Sequence, residues 1–153
     1  MDALNDAFAS CSRVVHPDQF AGASAQIQAR ARTHMSLLNE AHHVLKDPLH
    51  RAGYLAMLGG FDINRPGEPG GAPTPSQGFL MEMLARRDAA ETITTVEDRE
   101  RLLDEVMDER AQAFAGAVAC LEREAFEDAA RDLIVVRYLD RFIESLEEAL
   151  DSE

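Results

Sequence analysis

With 153 residues, 46% of them hydrophobic, the chain is long enough for one ordinary domain or two small ones and too apolar for wholesale disorder. Aromatics make up only 6%, Trp is absent, and Ala, Leu, Glu and Arg dominate, which excludes a β-sandwich and predicts an all-α fold. A formal charge of −13, with Lys46 the only lysine, argues against nucleic acid as a partner, and no run reaches the roughly 18 apolar residues that would span a membrane.

The opening Met1-Asp2-Ala3-Leu4-Asn5-Asp6 has neither the basic nor the apolar part of a secretory signal, so a cytoplasmic protein is expected. The spacing of Leu4, Phe8, Cys11 and Val15 predicts a first helix ending near Val15. His16-Pro17-Asp18 stops it, because the residue before a proline is driven out of the α region. A second helix is predicted from about Ser24 to Leu45, with Ile27, Ala31, Met35, Leu38, Ala41 and Leu45 on one stripe. Asp47-Pro48 then supplies a cap and a first-turn proline for a short helix carrying Leu49, Ala52, Leu55 and Ala56, closed by Gly59-Gly60.

Four of the six prolines fall between Asn64 and Pro75, a stretch that can neither hold a helix nor pair as a central strand. It reads as a linker over 61–78 between a helical module at 1–60 and another at 79–153. The first 60 residues hold five acids and five bases, so the whole excess of negative charge lies beyond them. The second module reads as a three-helix bundle. Its first helix starts near Phe79 and fades around Glu91, and Thr95-Val96-Glu97-Asp98 resembles a capping box for the next. That second helix presents Leu103, Val106, Met107, Phe114, Ala117, Val118 and Leu121. The last presents Phe126, Ala129, Leu133, Val136, Leu139, Ile143, Leu146 and Leu150, and the break between the two, near 121–124, carries neither Gly nor Pro.

Nothing here has the pattern of a catalytic set. His34, His42 and His43 share a predicted helix, but His34 and His42 are two turns apart, unlike the i, i+4 pair that grips one metal. Cys11 and Cys120 lack CxxC spacing and are expected to be reduced, buried thiols. No Gly-rich loop follows a strand, so no phosphate cradle is expected, and with no ligand spacing among these histidines and cysteines neither a metal nor another cofactor is expected. Extra apolar rows stand out instead: Phe79/Met83 beside Leu80/Leu84, and Ile134, Tyr138 and Phe142 beside the main stripe of the last helix. By pattern alone, a binding face and a broad core contact explain these rows equally well.

His16-Pro17-Asp18 sits between two helices, and twenty-one residues after Asp18 comes Asn39-Glu40-Ala41-His42-His43-Val44-Leu45-Lys46-Asp47-Pro48. This spacing resembles a J-domain: Pro17 stiffens the loop and leaves an imidazole and a carboxylate displayed on a fixed turn. Three further segments, Asp47-Pro48-Leu49-His50-Arg51-Ala52-Gly53-Tyr54-Leu55, Phe79-Leu80-Met81-Glu82-Met83-Leu84-Ala85-Arg86-Arg87-Asp88 and Val136-Arg137-Tyr138-Leu139-Asp140-Arg141, resemble the HscB family of iron–sulfur cluster co-chaperones, in order and over nearly the whole chain.

The resemblance implies a non-enzymatic co-chaperone with two partners. One is a DnaK/HscA-type ATPase chaperone, triggered by His16, Pro17 and Asp18. The other is an IscU-type scaffold protein, contacted by Leu80, Met81, Leu84, Arg87, Asp88 and Tyr138, with Phe79 and Met83 left to the core. The chain also departs from the family's pattern. Only 15 residues precede His16, where a family J-domain has a further helix. Without such a helix, Leu4, Phe8 and Leu38 would be partly exposed, at about 1.5–3 kcal/mol for each large side chain. A partner or a second copy of the chain would then cover them. In the helix before the motif only Arg13 offers the positive charge that family members present to the chaperone, and Gln19 replaces the usual base after it. Arg30 and Arg32 on the next helix could compensate or could simply form a solvated face. Ala85 stands where the family more often has an acid.

Overall fold

The structure, a computed structural model, describes residues 2–151. Its helices are α1 (Asp2–Val15), α2 (Ala25–Lys46), α3 (Pro48–Leu58), α4 (Gln77–Glu91), α5 (Val96–Glu122) and α6 (Phe126–Asp151), with a 3-10 turn at Pro17–Phe20. The described residues are thus all-α, with one isolated parallel bridge between Asp62 and Gly71. The chain forms two compact units, Met1–Arg51 and Ala52–Glu153.

In the first unit α1 and α2 form an antiparallel hairpin. Phe8 stacks on His42, their ring centroids 4.2 Å apart, and His42 Nε2 lies 3.0 Å from Asn5 Oδ1. Ser24 caps α2 by accepting the Ile27 N–H, and Asp47 caps α3 by accepting the His50 N–H at 2.7 Å. Ala31 is the one fully buried residue of α2, while Met35 and Leu38 are half-buried. Leu4 and Phe8 are half-buried too, as expected, but the largest apolar exposures of the hairpin fall on Val14 and Leu37. Ile27 and Leu45 of the expected α2 stripe are exposed. Cys11, expected to be buried, is exposed, and Cys120 alone is a core thiol.

The second unit is built on α6. Its Leu139, Phe142 and Leu146 close a core with Val106 of α5 and Met83 of α4. Leu133, Val136, Leu139 and Phe142 are essentially inaccessible, and each contributes about 1.5–3 kcal/mol by leaving water. Ile134 and Phe142 therefore belong to the core, and only Tyr138 of that extra row is half-buried. Met107, placed on the α5 stripe by its spacing, is 48% exposed.

The stretch expected to be a linker is folded. Asp62 N–H donates to Gly70 O and Ala72 N–H to Asp62 O, and Ile63 and Ala72 are buried. Arg137 of α6 reaches back to donate to Ile63 O at 2.8 Å and to Asn64 Oδ1 at 3.2 Å. Gly71 is required here: a Cβ would stand 1.6 Å from Arg65 O. Proline and glycine exclude a helix or a strand but not a loop held by its own turns and by a distant arginine. The division between units consequently falls within α3, at 51/52, rather than at 60. Ser76, accepting the Phe79 N–H at 3.1 Å, starts α4 two residues before Phe79.

Candidate functional site

Two features carry candidate chemistry, one in each unit. In the first unit His16 caps the 3-10 turn with Pro17 at its first position. His16 Nδ1 accepts the Asp18 N–H at 3.3 Å and lies 3.4 Å from Asp18 Oδ2. His16 Nδ1 thus faces both the backbone and the carboxylate of Asp18 in its own turn. Gln19 N–H donates to His16 O, and Gln28 of α2 donates from one amide to Ala21 O and Ala23 O, both at 3.0 Å. The loop is therefore braced from α2, and Asp18, with 88% of its side chain exposed, is presented on a fixed turn. Gln28 is a bracing residue that its polar type did not announce, although its place in the first turn of α2 puts it beside the loop.

Arg13, on α1, donates from Nε to Ala9 O of its own helix, and Arg30 is exposed on α2. At the far end of the hairpin the His50 backbone N–H, with weaker help from the His50 and His43 rings, holds the Asp47 carboxyl below its ordinary value. The His43 and His50 rings lie 5.1 Å apart.

The second feature is a groove between α4 and α6 of about 190 Å³, lined by Leu80, Met83, Leu84, Arg87, Tyr138 and Arg141. Phe79 meets Tyr138 edge to face at 5.5 Å and so fixes the tyrosine across the two helices. Four of the six residues singled out for the scaffold, Leu80, Leu84, Arg87 and Tyr138, come together here. Met81 and Asp88 are exposed on α4 outside the lining, with Met81 60% accessible. Met83 is buried, and Phe79 packs against the core. Arg86, beside Ala85, is tied to Glu109 at 2.8 Å and lies over the Phe142 ring. Arg141 was not singled out from the sequence. Its position one turn after Tyr138 is the signal that could have found it.

The groove lies within a recognised segment: residues 75–147 match the family model described as the HSCB C-terminal oligomerisation domain. A co-chaperone protein HscB homolog of Neisseria meningitidis serogroup B is 31% identical over 150 residues, covering 96% of this chain and 88% of that protein. The chain belongs to the HscB co-chaperone family. A second HscB homolog, from Neisseria gonorrhoeae, is 30% identical over the same share of each chain. Among solved structures, the chaperone HscB from Vibrio cholerae superposes with a TM-score of 0.76 at 26% identity, covering 97% of this chain and 87% of that one. Human HscB, at 22% identity, gives the same TM-score over 93% of this chain and 70% of its own, and shows the shared fold. The HscB likeness thus takes in both units, the braced His16-Pro17-Asp18 turn as well as the α4–α6 groove. These relatives are named as chaperones or co-chaperones, and none as an enzyme.

Proposed function

We propose that this HscB-family chain is an adaptor in iron–sulfur cluster transfer. Its α4–α6 face, with Leu80, Met81, Leu84, Arg87, Asp88 and Tyr138, holds an IscU-type scaffold protein. Its His16-Pro17-Asp18 turn docks on a DnaK/HscA-type chaperone in the cytoplasm and stimulates ATP hydrolysis there, with Arg13 and Arg30 supplying positive charge. The chain itself performs no chemistry. It raises the effective concentration of scaffold at the chaperone by carrying both contacts on one polypeptide. The carrying observation is the pre-set turn: an exposed carboxylate on a loop stiffened by Pro17 and braced through Ala21 O and Ala23 O by Gln28 can pair with a cation on the chaperone without the loop first being ordered.

A steady-state ATPase assay with the cognate chaperone tests this reading. Addition of the chain should raise turnover, and Asp18→Asn should remove most of the gain. A charge-assisted hydrogen bond is worth about 1.5–3 kcal/mol, so docking should weaken roughly tenfold to a hundredfold. A second reading, a client-binding adaptor that activates no chaperone, is favoured by α1, where Arg13 is the only base and folds back on its own helix. That reading takes over if the ATPase ignores the chain or responds equally to the Asp18→Asn variant.

A further inference from the structure

Sharing Tyr138 and Arg141 with the groove is a second hollow of about 240 Å³, lined by residues of α6 and of the folded 62–75 stretch. Ile63, Pro75, Ile134, Arg137, Tyr138 and Arg141 are in its wall. Arg141 borders both hollows, its guanidinium 5.9 Å from the centre of the Tyr138 ring. No acidic side chain lines either one.

That absence is unusual in this part of the chain, where residues 61–153 carry 23 acids and ten arginines. Arg65, Arg86, Arg101, Arg110 and Arg131 each grip a neighbouring carboxylate. Arg137 is committed to Ile63 O and Asn64 Oδ1. Arg87 and Arg141 pair with no carboxylate among the described residues, and both stand at the rim of an apolar floor. Amid an excess of negative charge, two guanidiniums without a carboxylate partner at one groove make a local positive spot. An arginine lying over an aromatic ring also keeps its fork of donors free for a planar carboxylate.

We propose that the client-binding surface continues past Tyr138 into the second hollow, and that Arg141 receives a carboxylate from an acidic side chain of the scaffold. That side chain adjoins the apolar group seated between Leu80 and Leu84. The inference rests on the scaffold reading above and adds the partner's charge and a residue that recognises it. Complementary charge of this kind sets orientation and encounter rate, and it fades as salt rises.

Calorimetric titration of a cognate IscU-type scaffold protein into the full chain tests it. Arg141→Glu should weaken binding roughly tenfold at low salt, with the gap to wild type narrowing as salt is raised. Arg101→Glu, the same charge change at an exposed position away from both hollows, should stay within about twofold, as rim charges remote from a contact do. Equal affinities for wild type and Arg141→Glu, while Leu84→Ala weakens binding, would overturn the inference and leave the scaffold reading standing. If wild type itself binds no scaffold, both fall. An Arg141→Lys variant treated with a carbodiimide gives an independent readout, because it keeps the charge and offers an amine. An amide joining position 141 to an acid of the scaffold supports the inference, whereas one joining it to a second copy of this chain overturns it.

Discussion

Glu124 ends α5 with φ at +60°, a left-handed conformation that glycine adopts without steric cost. Its N–H donates to Leu121 O and the next N–H, that of Ala125, to Cys120 O. These are the two bonds of a Schellman turn. Gly60 closes α3 with the same pair of bonds, Gly60 N–H to Met57 O and Phe61 N–H to Ala56 O, at φ +96°. Both turns need a residue in the left-handed region, which Gly60 adopts freely, whereas Glu124 holds a Cβ there at a steric cost. Glu124→Gly should therefore stabilise the second unit by about 0.5–1 kcal/mol: the left-handed strain of about 1–2 kcal/mol is relieved, and the greater freedom of glycine in the unfolded chain takes part of it back. Denaturant melts of the two proteins would show the gain as a higher midpoint at unchanged slope. A midpoint that falls would mean that Glu124 makes a contact worth more than the strain.

At the scale of the helix, α4 divides its apolar residues between two tasks. Met83 is 4% exposed in the core, while Leu84, its neighbour in sequence, is 54% exposed on the groove. Met83→Ala should cost about 2–5 kcal/mol of stability through the cavity it leaves, as buried Met→Ala changes do. Leu84→Ala should change stability by less than about 0.5 kcal/mol and instead weaken scaffold binding about tenfold. Melts and calorimetry on the same two variants separate these effects. Much of this arrangement could be read in advance, because it is local. Proline, glycine and capping residues marked the ends of α1, α2 and α3, and helical spacing marked the α6 core. What stayed hidden depends on distant partners. Nothing near Ile63 or Asn64 announces that Arg137, more than 70 residues on, will pin their loop. Nothing in the α6 row tells Phe142, buried against Met83 and Val106, from Tyr138, which is turned toward the groove by Phe79. The α5–α6 break was blurred for another reason: its turn uses a glutamate where sequence reading looks for glycine. For the candidate site, Leu80, Leu84, Arg87 and Tyr138 were found, whereas Arg141 was passed over because nothing on an acidic helix that also carries Arg131 and Arg137 marks one arginine for the groove.

Over the whole molecule, the charge follows the division of labour: the residues up to 60 are balanced, and those beyond carry the full −13. If the first unit addresses the chaperone and the second holds the scaffold, the value of the protein lies in their covalent union. Two contacts on one chain convert the second binding event into an intramolecular one. The chain passes from one unit to the other inside α3, so both contacts stay on one polypeptide. Two lesions should then be separable but not complementary. Asp18→Asn should bind scaffold as wild type does yet fail to stimulate the ATPase. Leu84→Ala should stimulate the ATPase normally in the absence of scaffold but need about tenfold more scaffold to gain the further stimulation that the loaded complex gives. Mixed in equal amounts, the two variants supply every contact, though never both on one polypeptide. At micromolar concentrations the mixture should stay well below the same amount of wild type in scaffold-dependent ATPase turnover. A mixture that matches wild type would show that the two contacts act independently, and tethering would then have no part in the mechanism.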